Sequence, residues 1–174
     1  ANEFAMSGTL GLGDATNSGV LTLSGNVALG AATTLTVASA ATLSGVVSGA
    51  YSLTKAGSDE LTLSGVNTFS GATNVDAGVL TLSGGSALIN SMAVTVGASG
   101  TLKLASNEEI ASLAGAGAVN LQGNVLSVSG AADTTFSGVM SGAGSLVKTG
   151  AAVFTLSGAN TFSGGVTLSA GAIQ

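Results

Sequence analysis

Cysteine, proline, histidine, arginine and tryptophan are all absent from this chain, and aromatic residues make up 3 % of it. Without cysteine or histidine there is no thiol nucleophile, no usual base for a serine nucleophile and no usual zinc ligand set. No disulfide can staple the fold, so its stability must come from packing and hydrogen bonds. Missing proline suits a chain of paired strands, because proline deletes a ladder hydrogen bond. Charge is scarce too. Charged residues are 6 % of the chain, against roughly 25 % in ordinary soluble domains. The cations are Lys55, Lys103 and Lys148, and the net charge is −5. A phosphate backbone needs clustered cations, so nucleic acid is excluded as a partner. No stretch reaches the roughly 18 consecutive apolar residues of a membrane span. Residue 1 is Ala followed by polar sequence, which reads equally as a mature secreted chain cut at a small-residue site or as a piece of a longer polypeptide.

What the 174 residues do contain is repetition. Thr-Leu-Ser-Gly begins at Thr22, Thr42, Thr62 and Thr81, spacings of 20, 20 and 19. The beat continues as TLKL at Thr101 and NLQG at Asn120, falls early as TFSG at Thr135, and resumes as TLSG at Thr155. One step, from Asn120 to Thr135, is only 15 residues. A longer period lies above this one: residues 44–80 align without a gap to 137–173, an offset of 93, with 21 of 37 positions identical.

Inside each beat apolar and hydroxyl residues alternate, as in Leu61-Thr62-Leu63-Ser64 and Phe154-Thr155-Leu156-Ser157. Period two means strands with one apolar and one polar face. Glycine, Ser-Gly or Asn closes each run, where a corner needs permissive backbone. Residues 107–115 are the one helical candidate, and they are short. Twenty residues cannot enclose a core alone, but they make one coil of a β-solenoid, each strand pairing in parallel with its equivalents above and below. The expected fold is one all-β domain over 1–174, with about 20 residues per coil and roughly eight coils, on the order of 40 Å long. Leu23, Leu43, Leu63, Leu82, Leu102, Phe136 and Leu156 are expected in one buried inner file. Thr22, Thr42, Thr62, Thr81, Thr101, Thr135 and Thr155 are expected in one exposed file. With Ser24, Ser44, Ser64, Ser83 and Ser157 they make a Thr-x-Ser grid.

Residues 144–173, GSLVKTGAAVFTLSGANTFSGGVTLSAGAI, resemble the passenger-associated repeat of bacterial autotransporters. In that family Gly-x-Leu-x-Lys-x-Gly leads into Thr-Leu-Ser-Gly-x-Asn-Thr-aromatic-x-Gly and then Ala-Gly-x-Leu. Lys148, Gly150, Asn160, Phe162 and Gly171 fill those places, as Lys55, Gly57, Asn67, Phe69 and Gly78 do in the first copy. The resemblance implies a right-handed parallel β-helix exported through the outer membrane of a Gram-negative cell and displayed on it or shed. It is specific for fold and secretion route and says little about ligand.

Each tempting residue has a plain reading. Lys55 and Lys148 would point inward by alternation, which suggests that the chain has reached a corner with a solvated lysine. Asn67 and Asn160 read as turn residues bonding their own backbone. Asp59-Glu60 and Glu108-Glu109 read as exposed loop charges. Glycoside hydrolysis needs two carboxyls facing each other about 5 to 9.5 Å apart, and neighbouring strand residues point to opposite faces. GLGD at 11–14 is similar to a calcium turn, but such turns work in tandem arrays and this one stands alone. No cofactor, metal or catalytic residue is expected.

The expected function is therefore structural: a secreted or cell-surface stalk, adhesin or fibre subunit that associates with itself, head to tail through its open ends or side by side through its polar faces. Its end-to-end contact would join Ala172, Ile173 and Gln174 to Phe4 and Met6 of the next copy. A ligand-binding module using the Thr/Ser grid on polysaccharide, ice or surface glycans is the alternative, and a polysaccharide-active enzyme the distant third.

Overall fold

The computed structural model describes residues 3–16, 19–90 and 92–174, and among these every regular element is a strand. Every pairing between them is parallel. The helical candidate at 107–115 is instead the strands Glu108–Ile110 and Ser112–Gly115. The chain is the expected solenoid of about 20 residues per coil.

Each coil visits three faces. The first face carries Val47–Ser48, Glu108–Ile110, Val125–Val128, Ser145–Lys148 and Val166–Leu168. Leu53–Ala56, Ser112–Gly115, Thr134–Phe136 and Val153–Leu156 lie on the second. The third holds Leu21–Leu23, Ala41–Leu43, Glu60–Leu63, Ala118–Asn120 and Val139–Ser141. Longer strands turn a corner without breaking. Thr73–Leu82 pairs with Leu53–Ala56 through its first half and with Glu60–Leu63 through its second. At that corner Gly78 has φ +66°, and a Cβ on it would lie 2.5 Å from the Gly57 carbonyl oxygen. Only glycine fits.

The core is the stack of inward positions. On the third face Leu23, Leu43, Leu63, Leu82 and Leu104 follow one another in register. Each fully buried leucine contributes roughly 1.5–3 kcal/mol of hydrophobic stabilisation. The inner file expected from the repeats needs three corrections. Leu102 pairs with Leu80 rather than Leu82. Phe136 and Leu156 lie on the second face, behind Gly115. Leu23 and Leu156 are half-buried, because each belongs to a coil near one end of the stack.

The short step of 15 residues is not a short coil. Across it the third face keeps its metre, with Asn120 beside Ser141, and the second face does likewise, with Gly115 beside Phe136. What shifts is the phrase: Thr22, Thr42, Thr62 and Thr81 stand on the third face, while Thr135 and Thr155 stand on the second. Fifteen residues hold too few strand-and-corner segments for a full circuit, so the motif lands one face early.

Candidate functional site

The outward threonines therefore form two ladders. The first runs Thr22, Thr42, Thr62, Thr81 and then passes to Lys103 and Asn120. Thr101 is outside it, sitting beside Val79 and Ala118. Thr81 is also not exposed: it is 4 % accessible, and its hydroxyl donates to Glu60 Oε1 at 2.5 Å. Thr22, Ser24, Ser44 and Ser157 are exposed, whereas Thr42, Thr62, Thr155, Ser64 and Ser83 are half-buried. The anticipated single flat grid is thus split between faces and covered at one end. A longer hydroxyl and amide ladder, Thr9, Thr34, Thr54, Asn74 and Thr95, occupies the second face. Its members recur at about coil spacing, but in differing local phrases, so the repeated Thr-Leu-Ser-Gly drew attention elsewhere.

The lysines are the largest correction. Lys55 is 0 % and Lys148 1 % accessible, and neither is a solvated corner. Lys55 stands in the inner file between Leu35 and Val75. Its Nζ donates to the carbonyl oxygens of Ala56, Gly57 and Ala77 at 3.0, 2.9 and 2.9 Å. An ammonium has three protons, and all three are used. The lysine thus ties its own corner to the coil above. Burial pushes its pKa down to about 8, with the Asp59 carboxylate acting in the opposite direction. Lys148 repeats the arrangement in the second copy, donating to the Gly150 carbonyl oxygen.

The asparagines also act between coils rather than on their own backbone. Buried Asn67 accepts from Val47 N–H and donates through Nδ2 to Ala87 O, both at 2.7 Å, so one side chain joins three successive coils. Asn160 accepts from Met140 N–H at 2.8 Å, Asn107 from Val125 N–H at 2.9 Å and Asp133 from Val153 N–H at 2.8 Å. These groups replace ladder bonds where the chain has left strand geometry.

Glu108 works in the same way and is no exposed loop charge. It is buried, and its carboxylate accepts from Leu88 N–H at 2.9 Å and Ala87 N–H at 3.3 Å. Burial raises its pKa above the ordinary value, while those two amides pull it down. Glu60 is held below the ordinary value, first by the Thr81 hydroxyl, against partial burial, with Lys103 at 3.3 Å adding its charge. At the GLGD turn, Asp14 Oδ1 accepts from Thr16 N–H and Oγ1 at 2.9 Å each, closing a local turn. Among the described residues no three acidic side chains gather as a metal site.

These features define a class: a parallel β-solenoid whose apolar files are fastened at the corners by buried polar staples. The passenger-associated transport repeat family matches residues 53–86 and 146–174, the two segments that contain Lys55 and Lys148. The autotransporter adhesin BmaC of Brucella suis biovar 1 (strain 1330) is 40 % identical over 178 aligned residues, which cover 91 % of this chain and 5 % of that protein. No solved structure matches the chain. The chain carries autotransporter passenger repeats and is homologous to a part of an autotransporter adhesin.

Proposed function

We propose that this segment is a rigid, non-catalytic piece of a passenger displayed on the outer surface of a Gram-negative bacterium, and that copies of it associate with one another. The observation that carries the reading is the unbroken inner stack fastened by Lys55, Asn67 and Glu108, a scaffold in which the polar groups are spent on coil-to-coil bonds. Glu108 turns onto backbone amides and Glu60 onto Thr81 and Lys103, so neither is presented to a sugar as a free acid or base. The scaffold acts by geometry: a stiff rod holds whatever it carries away from the cell.

Where this segment is not continued by further coils, copies would associate through the inward positions of its end coils. Val166 and Leu168 pair with Leu146 and Lys148 on one side, yet remain 51 % and 53 % accessible. Phe4, beside Val27, is 42 % accessible, whereas Met6 is already buried. Ala172 and Ile173 are half-buried and Gln174 exposed. A coil of a second copy laid on either end continues both the backbone ladder and the apolar files. Light scattering over a concentration series with electron microscopy tests this: rods that lengthen with concentration support it. A monodisperse particle at high concentration removes self-association and leaves the stalk.

A further inference from the structure

Two of the three cations are withdrawn from the outer surface, and the third, Lys103, is half-exposed but paired. Lys55 and Lys148 are buried on backbone carbonyls, and Lys103 is paired with Glu60. With no arginine or histidine in the chain, no unpaired side-chain cation faces solvent, while Asp76 and Asp133 are exposed carboxylates. Among the described residues an acidic ligand therefore finds no cation that is not already paired with a carboxylate.

The second observation is a depression of about 370 Å³ on the first face, within the range of small-ligand sites. It lies where a loop replaces the strand. Gly84 and Gly85, at φ +93° and +77°, open a segment of bends over 84–90 that is not a strand, although Ala87 and Leu88 within it stay in the core. The loop is fixed from both sides, because Glu108 holds Ala87 and Leu88 N–H and Asn67 holds Ala87 O. Ser86 and Asn90 line one wall, and Asn107, Glu109, Val125 and Ser127 the other. Glu109 and Ser127 are register neighbours on adjacent strands.

Several polar side chains that line the depression are consumed by bonds to the backbone: Glu108 holds Ala87 and Leu88 N–H, and Ser86 donates to the Gly85 carbonyl oxygen. Others are not. Asn90, Glu109 and Ser127 make no side-chain hydrogen bond among the described residues, and Asn107 uses only Oδ1. Two amides, the Ser127 hydroxyl and the Glu109 carboxylate thus line a pre-formed depression with a small apolar patch at Val125, beside the already bonded Ser86 and Glu108.

We infer that this depression binds an uncharged sugar residue of a glycan. The proposal rests on the adhesin reading and names the ligand class for it. The Glu109 carboxylate accepts two vicinal hydroxyl protons, the asparagine amides both donate and accept, and Val125 meets the C–H face of the ring. Acidic sugars are rejected by Glu109 with no cation in compensation. A basic peptide is less well served, since one half-exposed carboxylate is its only charged contact.

The test titrates the intact segment with lactose, maltotriose and the N-acetylglucosamine trimer, with 3′-sialyllactose and a heparin hexasaccharide as acidic probes and a lysine-rich peptide as the basic one. Calorimetry and saturation-transfer NMR give the readout. Saturable binding of at least one neutral probe is expected, with none for the acidic probes. The double variant Asn90→Ala, Glu109→Ala should weaken it at least tenfold without changing the thermal midpoint. Glu109→Gln should keep neutral binding within a few-fold and relax the rejection of sialyllactose. No neutral probe bound, an acidic probe bound as tightly, only the peptide bound, or a double variant equal to the parent would each overturn the proposal. Attachment of segment-coated beads to host cells, measured alongside, separates the two readings. Attachment without glycan binding sinks this inference alone, and loss of both sinks the adhesin reading as well.

Discussion

Residues 44–80 and 137–173 share 21 of 37 positions, yet the solenoid places them on different faces. Lys55 stands on the second face and Lys148 on the first. The strand Glu60–Leu63 is on the third face, and its counterpart Val153–Leu156 on the second. The offset of 93 residues is not a whole number of coils of about 20, so the second copy arrives one face short of a full circuit. The same phrase places its staples in both copies, with more bonds at Lys55 and Asn67 than at Lys148 and Asn160. Coil chemistry is therefore local, whereas orientation around the axis is set by the number of residues between copies. A passenger that continued this spacing would present its repeats as a spiral rather than a stripe.

The two copies also differ in how completely each staple is made, and substitutions can widen or close that difference. Lys55→Ala should have the largest effect. It strips three buried carbonyls of their donor and leaves a cavity, at a cost of roughly 3–5 kcal/mol. Lys148→Ala should cost distinctly less, since its ammonium reaches the Gly150 carbonyl in a coil nearer the open end. Chemical denaturation of both variants checks the order, and equal losses would mean that the two sites are energetically alike.

Asn67→Ala comes next, at about 2–3 kcal/mol, because it orphans an amide and a carbonyl in different coils. Asn160→Ala, with one bond from a half-buried residue, should lose about 1 kcal/mol. Thermal midpoints of the pair give the comparison.

Lys55 should also show in the pH dependence of stability. Lys55 has its pKa lowered to about 8 in the folded chain, so between about 8 and 10.5 the unfolded chain holds the proton more firmly. Stability should therefore rise with pH across that window, and Lys55→Met should abolish the slope. A flat profile in the parent would mean that the three carbonyls hold the charge as firmly as water does. Glu108 works in the opposite sense. Its raised pKa favours the folded state at low pH, and that contribution fades as pH climbs through the folded value. Glu108→Gln should flatten this part of the acid profile.

Thr73 gives the smallest effect and a change of sign. Its hydroxyl is buried without a partner, and the equivalent position in the second copy is Val166. Thr73→Val should make the first copy like the second and raise stability by about 1 kcal/mol, read as a higher midpoint in urea.

The sequence by itself determined the strands, the coil and the likeness to passenger-associated repeats. Strict alternation leaves only β structure, a twenty-residue period without a core of its own leaves only stacking, and the Lys-x-Gly and Ser-Gly-x-Asn-Thr phrases are specific. It did not determine the faces on which Thr135 and Thr155 fall, because register depends on summed corner lengths and on pairing between coils. Nor did it determine that Lys55, Asn67 and Glu108 are interior. A single strand read alone says that a charge facing inward is costly and so belongs at a corner. What makes burial tolerable is the Ala77 carbonyl, 22 residues from Lys55, together with the Val47 and Ala87 backbone groups, 20 residues either side of Asn67. Those partners arrive only when the coils stack, and the tertiary structure alone decides where a polar group can be buried.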